Sequence, residues 1–132
     1  MKRIYADYNA TTPLDPEVLD VMLPYLGEHF GNASSVHVFG REARAAIDDA
    51  RVRLTTLLGC AEGELIFTGG GTEADNNAVF GVARATRKRG RHIVASSIEH
   101  HAVLHACQYL EKSGECEVTY LPVNRDCLVD PD

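Results

Sequence analysis

The chain has 132 residues, of which 45% are hydrophobic and 24% charged, with a formal net charge of −6 at neutral pH. That length can bury about two-thirds of its unfolded surface, and the balance is that of a globular chain rather than a disordered one. The negative charge argues against a nucleic-acid or anionic-membrane partner, and no apolar run approaches the ~18 residues that span a bilayer.

Asp7 interrupts the N-terminus early, so no secretory signal is expected and the reading is cytoplasmic. Cys60, Cys107, Cys116 and Cys127 show no CxxC spacing, which disfavours a zinc knuckle or a redox pair and leaves reduced thiols. Cys60 and Cys107 stand among apolar neighbours and are expected to pack as small hydrophobes.

In chain order, "PLDPEVLDVMLPYLGEHFG" opens with Asp15 as a cap, Pro16 at the first helical position and Glu17 in the first turn. A helix is expected from there toward Leu26, with Pro24 kinking or shortening it. The segment "FGNASSVHVFG" is rich in glycine, serine and asparagine and reads as a loop. A second helix is expected at about Arg41 to Leu58. Its stripe carries Ala46, Ile47, Ala50, Leu54, Leu57 and Leu58, and Gly59 is its stop.

Three short apolar runs follow: "LIFT" from Leu65, "HIVAS" from His92 and "EVTYL" from Glu117. Each reads as a buried strand. Helical stretches at Glu73 to Arg89 and about His101 to Lys112 separate them, closed by Gly90 and Gly114. Strands alternating with helices predict an α/β fold with a mostly parallel sheet. Arg84, Arg87, Lys88, Arg89 and Arg91 cluster near a helix end, where cations favour the negative pole of the macrodipole. No aromatic side chains lie between them to stack on bases.

The chemistry concentrates in "FTGGGTEADN", Phe67 to Asn76. A strand ending in Gly69, Gly70 and Gly71 and turning into a helix at Thr72 exposes backbone N–H groups at the positive end of a helix dipole, which suits an anion. Thr72 and Asp75 match a T-x-x-D capping box, so the hydroxyl either caps the helix or meets a phosphate oxygen. The loop has neither the lysine of a P-loop nor the glycine spacing of a dinucleotide fingerprint. By itself the triple glycine fits a plain tight turn as well as a phosphate cradle.

"HIVASSIEHHAVL" places Glu99 and His100 just beyond a strand's C-terminal end, where open α/β sheets bind ligands. An imidazole there can lie flat on an aromatic ring, or it can simply cap a helix. His101 and His105, four apart, have the spacing of a metal pair but no third ligand at a fitting distance, so no metal is expected.

The blocks "YADYNATTPLDPEV", "GNASSVHVFG", "ELIFTGGGTEADNNAV", "IVASSIEHHAVL" and "YLEKSGECEVTYLPV" run in order along essentially the whole chain. Together they resemble the cysteine desulfurases, pyridoxal-phosphate enzymes of the class V aminotransferase type. The resemblance implies that residues 1–132 are the N-terminal portion of the pyridoxal-phosphate-binding large domain, with the rest of that domain and a small C-terminal domain absent. It also implies that Gly71 and Thr72 hold the cofactor phosphate and that His100 stacks on the pyridine ring. Asn9 to Thr12 and Asn32 to His37 would border the active-site mouth. Gly69 stands where serine is usual, Ala33 where proline is usual, and Asn77 where an apolar residue is usual.

The reaction so implied removes sulfur from L-cysteine, leaving L-alanine and an enzyme persulfide for iron-sulfur scaffold proteins or other acceptors. It needs a Schiff-base lysine, a carboxylate opposite the ring nitrogen and a mobile cysteine. Lys2, Lys88 and Lys112 do not match the lysine motif, nor any cysteine the mobile loop. These residues alone are therefore expected to be inactive and to hold no catalytic residue. A homodimer or a complementing second chain is the expected partner. The alternatives are a non-catalytic remnant or interaction module that joins a full-length homologue, or part of a selenocysteine lyase or other class V lyase.

Overall fold

Asp15 starts the first helix as its place in the sequence implies: its Oδ1 accepts the Glu17 N–H at 2.8 Å, with Pro16 following in the first turn. The computed structural model describes residues 3–130, and these divide between Leu65 and Ile66 into two units.

In the first unit, α1 (Pro16–Leu26) runs through Pro24 and stops two residues later, so the missing proline donor falls in the last turn. The Pro24 carbonyl then accepts the His29 N–H at 2.9 Å. Helix α2 (Val38–Leu58) begins three residues ahead of the expected Arg41. His37 is the reason: its Nδ1 accepts the Gly40 N–H at 3.4 Å and its carbonyl takes the Arg41 N–H at 3.0 Å. Gly59 ends α2 in the left-handed region, φ 69°, as expected of a helix stop. A 3₁₀ turn, Glu62–Glu64, follows.

The loop before α2 folds on Asn32, whose Oδ1 accepts the Ser34 N–H and whose carbonyl accepts the Ser35 N–H, both at 2.9 Å. It lies directly on Gly40. A Cβ there would stand 2.2 Å from the Ser35 carbonyl oxygen and 2.7 Å from that of Asn32.

In the second unit, α3 (Gly71–Thr86), β1 (His92–Ser96), α4 (His101–Lys112) and β2 (Glu117–Leu121) follow one another. The two strands and α4 have the expected bounds. The strands pair in parallel, His92 opposite Glu117 through Ser96 opposite Leu121, and α4 is the crossover between them. Ala102, Ala106, Cys107 and Leu110 form the buried stripe of α4 at helical spacing, with Cys116 beside it. Burying Leu110 alone is worth about 1.5–3 kcal/mol. Cys107 packs as expected, whereas Cys60 is only half-buried.

Two local expectations are corrected. Residues 65–68 belong to no ladder, because among the described residues the sheet consists of β1 and β2 alone. A strand is completed by its neighbours, and apolar content cannot supply them. Helix α3 starts at Gly71 rather than Glu73 and ends at Thr86, with Gly70 at the cap position, so the Thr72–Asp75 capping box does not form.

Helix α3 packs on α4. Phe80 and Tyr109 meet edge to face at 5.7 Å, and the Arg84 guanidinium lies 5.1 Å over the Phe80 ring. Arg84 also pairs with Glu115 through two bonds, Nε to Oε2 at 3.0 Å and Nη2 to Oε1 at 3.1 Å. Arg91 donates to the carbonyls of Glu115 and Gly114. The basic cluster is thus only partly a solvated helix end, since two of its guanidiniums tie α3 and β1 to the α4–β2 turn.

Val21, Leu26, Leu57, Ile66 and Val94 are each more than half exposed. Parallel sheets are normally covered on both faces, and here much of the apolar surface lacks that cover. The architecture is α/β, an incomplete portion of a helix-covered parallel sheet.

Glycine 40 should not tolerate a side chain: Gly40→Ala should cost about 1–3 kcal/mol by overpacking. Gly81, in the interior of α3, has nothing within 4 Å of a built Cβ, and Gly81→Ala should instead stabilise by about 0.5–1 kcal/mol. Urea denaturation midpoints of the two variants check the contrast. The hydrogen bonds from Arg84 hold the Glu115 carboxyl below the ordinary glutamate value of 4.5. The pair's contribution is therefore present at neutral pH and is lost on acidification below that value, as the lowered value of the folded state is crossed. Arg84→Gln should raise the Glu115 titration midpoint, followed by carboxyl-carbon NMR.

Candidate functional site

Helix α3 begins on bare backbone. Gly70 is extended and offers no side-chain cap, and the first intrahelical bond runs from the Ala74 N–H to the Gly70 carbonyl at 3.1 Å. The N–H groups of Gly71, Thr72 and Glu73 precede that bond and have no partner within the helix. Nothing lies within 4 Å of a Cβ built on Gly70 or Gly71, so open space adjoins both. The Thr72 hydroxyl makes no hydrogen bond among the described residues, while the Thr72 carbonyl accepts from Asn76 Nδ2 at 2.7 Å. Three N–H donors and one hydroxyl at a helix N-terminus form an arrangement that attracts an anion.

One residue was missed in the sequence. Glu73 turns back on its own helix start, and its Oε2 accepts the Gly69 N–H at 2.7 Å. The signal was a carboxylate one turn after an uncapped glycine, the spacing that a capping box uses.

His100 stands at the N-cap of α4, exposed, with Nδ1 accepting the Ala102 N–H at 3.2 Å. That bond leaves the proton of the neutral ring on Nε2. The capping alternative is therefore realised, and the ring remains open to solvent. Beside it Glu99 accepts the Ser96 hydroxyl at 3.0 Å.

Gly71, Thr72 and His100 share the second unit and the same end of it. Phe80 faces Tyr109 and Arg84 reaches Glu115, so α3 and α4 run in the same sense. Gly71 lies about 13 Å before Phe80 along α3, and His101 about 12 Å before Tyr109 along α4. Asn9 to Thr12 and Asn32 to His37 lie in the first unit.

Lys88 follows α3 and Lys112 ends α4, at the opposite end from the glycine loop; Lys2 lies outside the described residues. Burial pushes the Cys107 thiol up, and the nearby Glu99 carboxylate adds to the effect. A thiol so disposed is a poor nucleophile. The rings of His101 and His105 are 5.3 Å apart, but among the described residues no group of three or more His, Cys, Asp or Glu side chains could hold a metal. Asn77 is exposed, so its polarity carries no burial cost.

Residues 4–132 match the aminotransferase class-V family. The chain belongs to that family. Among relatives, cysteine desulfurase IscS of Dictyoglomus turgidum is 55% identical over 133 residues, covering 100% of this chain and 34% of that protein. A solved NifS-like protein superposes with a TM-score of 0.84 at 39% identity, over 92% of this chain and 33% of the other. The structure of SspA in complex with cysteine gives 0.79 at 38% identity, over 90% and 34%. This class-V chain spans about a third of the length of the relatives it matches, corresponding to their N-terminal part.

The family depends on pyridoxal phosphate, and the residues present fit the phosphate end of that group. They offer open space beside two glycines, N–H donors outside the helical ladder, and a hydroxyl with no partner among the described residues. Thr72→Val should leave α3 intact by circular dichroism, because the lost hydroxyl bonds nothing among the described residues. It should weaken phosphate binding about tenfold, the size of one hydrogen bond to a charged group, as measured by phosphorus NMR titration.

Proposed function

We propose that the chain forms the N-terminal part of a cysteine desulfurase and that its share of the site is the cofactor's phosphate cradle and one face of its ring. The observation that carries this reading is the common end of the second unit. There the N–H groups of Gly71 and Thr72 that lie outside the helical ladder, the Thr72 hydroxyl and the exposed ring of His100 stand at the starts of two helices that run together. The similarity to SspA in complex with cysteine supports L-cysteine as the substrate.

Pyridoxal phosphate, when bound, supplies an electron sink for bonds at the α-carbon of an amino acid. Gly71 and Thr72 bind the phosphate through backbone N–H groups and hydroxyl, and the dipole of α3 adds to the attraction for a dianion. His100 orients the ring from one face, held by its bond to the start of α4. The Schiff-base lysine, the carboxylate for the ring nitrogen and the persulfide-forming cysteine come from outside these 132 residues. The product pair is L-alanine and an enzyme persulfide, and the sulfur passes to an acceptor such as an iron-sulfur scaffold protein.

The uncovered apolar positions of α1, α2 and residues 66–67 support a complementing polypeptide segment, in the same chain, in a homodimer or in a second chain. They equally suit an interaction module without catalysis. Among the described residues no helix is long and apolar enough to cross a membrane.

A chimera tests this reading, with the chain replacing the corresponding third of the Dictyoglomus turgidum relative. With a thiol reductant such as dithiothreitol present to release the persulfide sulfur, the chimera should form alanine and sulfide from cysteine, whereas the 132 residues alone should give neither above a denatured control. A folded chimera that takes up pyridoxal phosphate but leaves cysteine intact would overturn it.

A further inference from the structure

Three consecutive glycines are costly to order, since glycine loses more backbone freedom on folding than any other residue. An anion cradle made of them works only if something else holds the loop in shape before the anion arrives, because ordering it at the moment of binding subtracts from affinity. Among the described residues, three hydrogen bonds hold Thr68 to Gly70 in shape. The Thr68 hydroxyl donates to the Gly70 carbonyl at 3.2 Å, and the same carbonyl takes the Ala74 N–H at 3.1 Å. The remaining bond is the one from the Gly69 N–H to Glu73 Oε2 at 2.7 Å, which is short and charge-assisted.

We propose that Glu73 is the positioning residue of the phosphate cradle: its carboxylate pins the first glycine so that the N–H groups of Gly71 and Thr72 stand free and directed at the anion. This rests on the phosphate reading given above. Glycine at position 69 belongs to the same device, since a Cβ there would lie 3.2 Å from Glu73 Oε2, closer than ordinary van der Waals contact. The bare carbon leaves the carboxylate room to reach the N–H.

The device carries an internal opposition. In the first turn of α3, the Glu73 carboxylate is favoured by the helix dipole, but it bears the same sign as the phosphate it prepares for. Its hydrogen bond promotes binding and its charge opposes it. Glutamine keeps an acceptor of the same reach and removes the charge; alanine removes both. The affinities for a phosphate ester should therefore order as E73Q equal to or tighter than wild type, and E73A weakest.

Amide NMR on the 132-residue chain tests this with pyridoxine 5′-phosphate, which has no aldehyde and cannot link to Lys88 or Lys112. In Glu73→Ala the Gly69 amide should exchange about tenfold faster without ligand, and the dissociation constant should rise about tenfold, one charge-assisted bond in each case. In Glu73→Gln the Gly69 amide should keep part of its protection, exchanging more slowly than in Glu73→Ala, and binding should not weaken. Unchanged Gly69 exchange in Glu73→Ala, or binding by that variant as tight as wild type, would overturn the proposal. Equal loss in both variants would also overturn it, because that pattern means a general weakening of α3. If wild type itself shows no saturable binding, the phosphate reading fails, and the exchange measurement then decides whether Glu73 holds the loop.

Discussion

Two parallel strands cannot be joined by a tight turn, because the chain must return to the end from which it started. β1 and β2 meet this constraint with α4, and the arrangement of the second unit follows from it. The crossover starts just past the C-terminal end of β1, which fixes the place of His100. Helix α3 lies alongside α4 through Phe80 and Tyr109 and runs in the same sense, so its own start is carried to the same end. The concentration of helix N-termini there is a result of topology, and the charge preference of that end comes with it.

The legible parts of the sequence were those fixed by local chemistry. Asp15 and Pro16 announced α1, Gly59 closed α2, and the bounds of β1, α4 and β2 followed from short apolar runs with β-branched or aromatic content and from the helical stretch between them that Gly114 closes. What was not legible depends on partners distant in sequence or on uncommon caps. Residues 65–68 have the composition of a strand, yet a strand exists only in a ladder. His37 starts α2 early, although histidine is not among the usual capping residues. Gly70 starts α3 with no side chain at all, which moved the helix start two residues from where Thr72 and Asp75 pointed.

At the candidate site, the sequence supplied the residues and the structure supplied their relations. Gly71, Thr72 and His100 were readable by resemblance, which already assigned them to one ligand; the packing of α3 on α4 that brings them to a common end was not. The basic cluster shows the reverse case. Its spacing suggested a solvated helix end, but Arg84 and Arg91 are spent on Glu115 and Gly114. Five clustered cations thus say little until the acceptors brought beside them by the fold are known.

The bond from Ala102 to His100 Nδ1 gives one imidazole two employers. One ring nitrogen belongs to the backbone of α4, while the ring faces are left for whatever lies against them. An alanine in its place would remove a helix cap and an aromatic surface in a single stroke, so any defect it produced would have two indistinguishable origins. Asparagine is among the best capping residues and has no ring. In this fold the amide, rather than the methyl, is the informative replacement, because it leaves the scaffold's demand met and withdraws only the aromatic one.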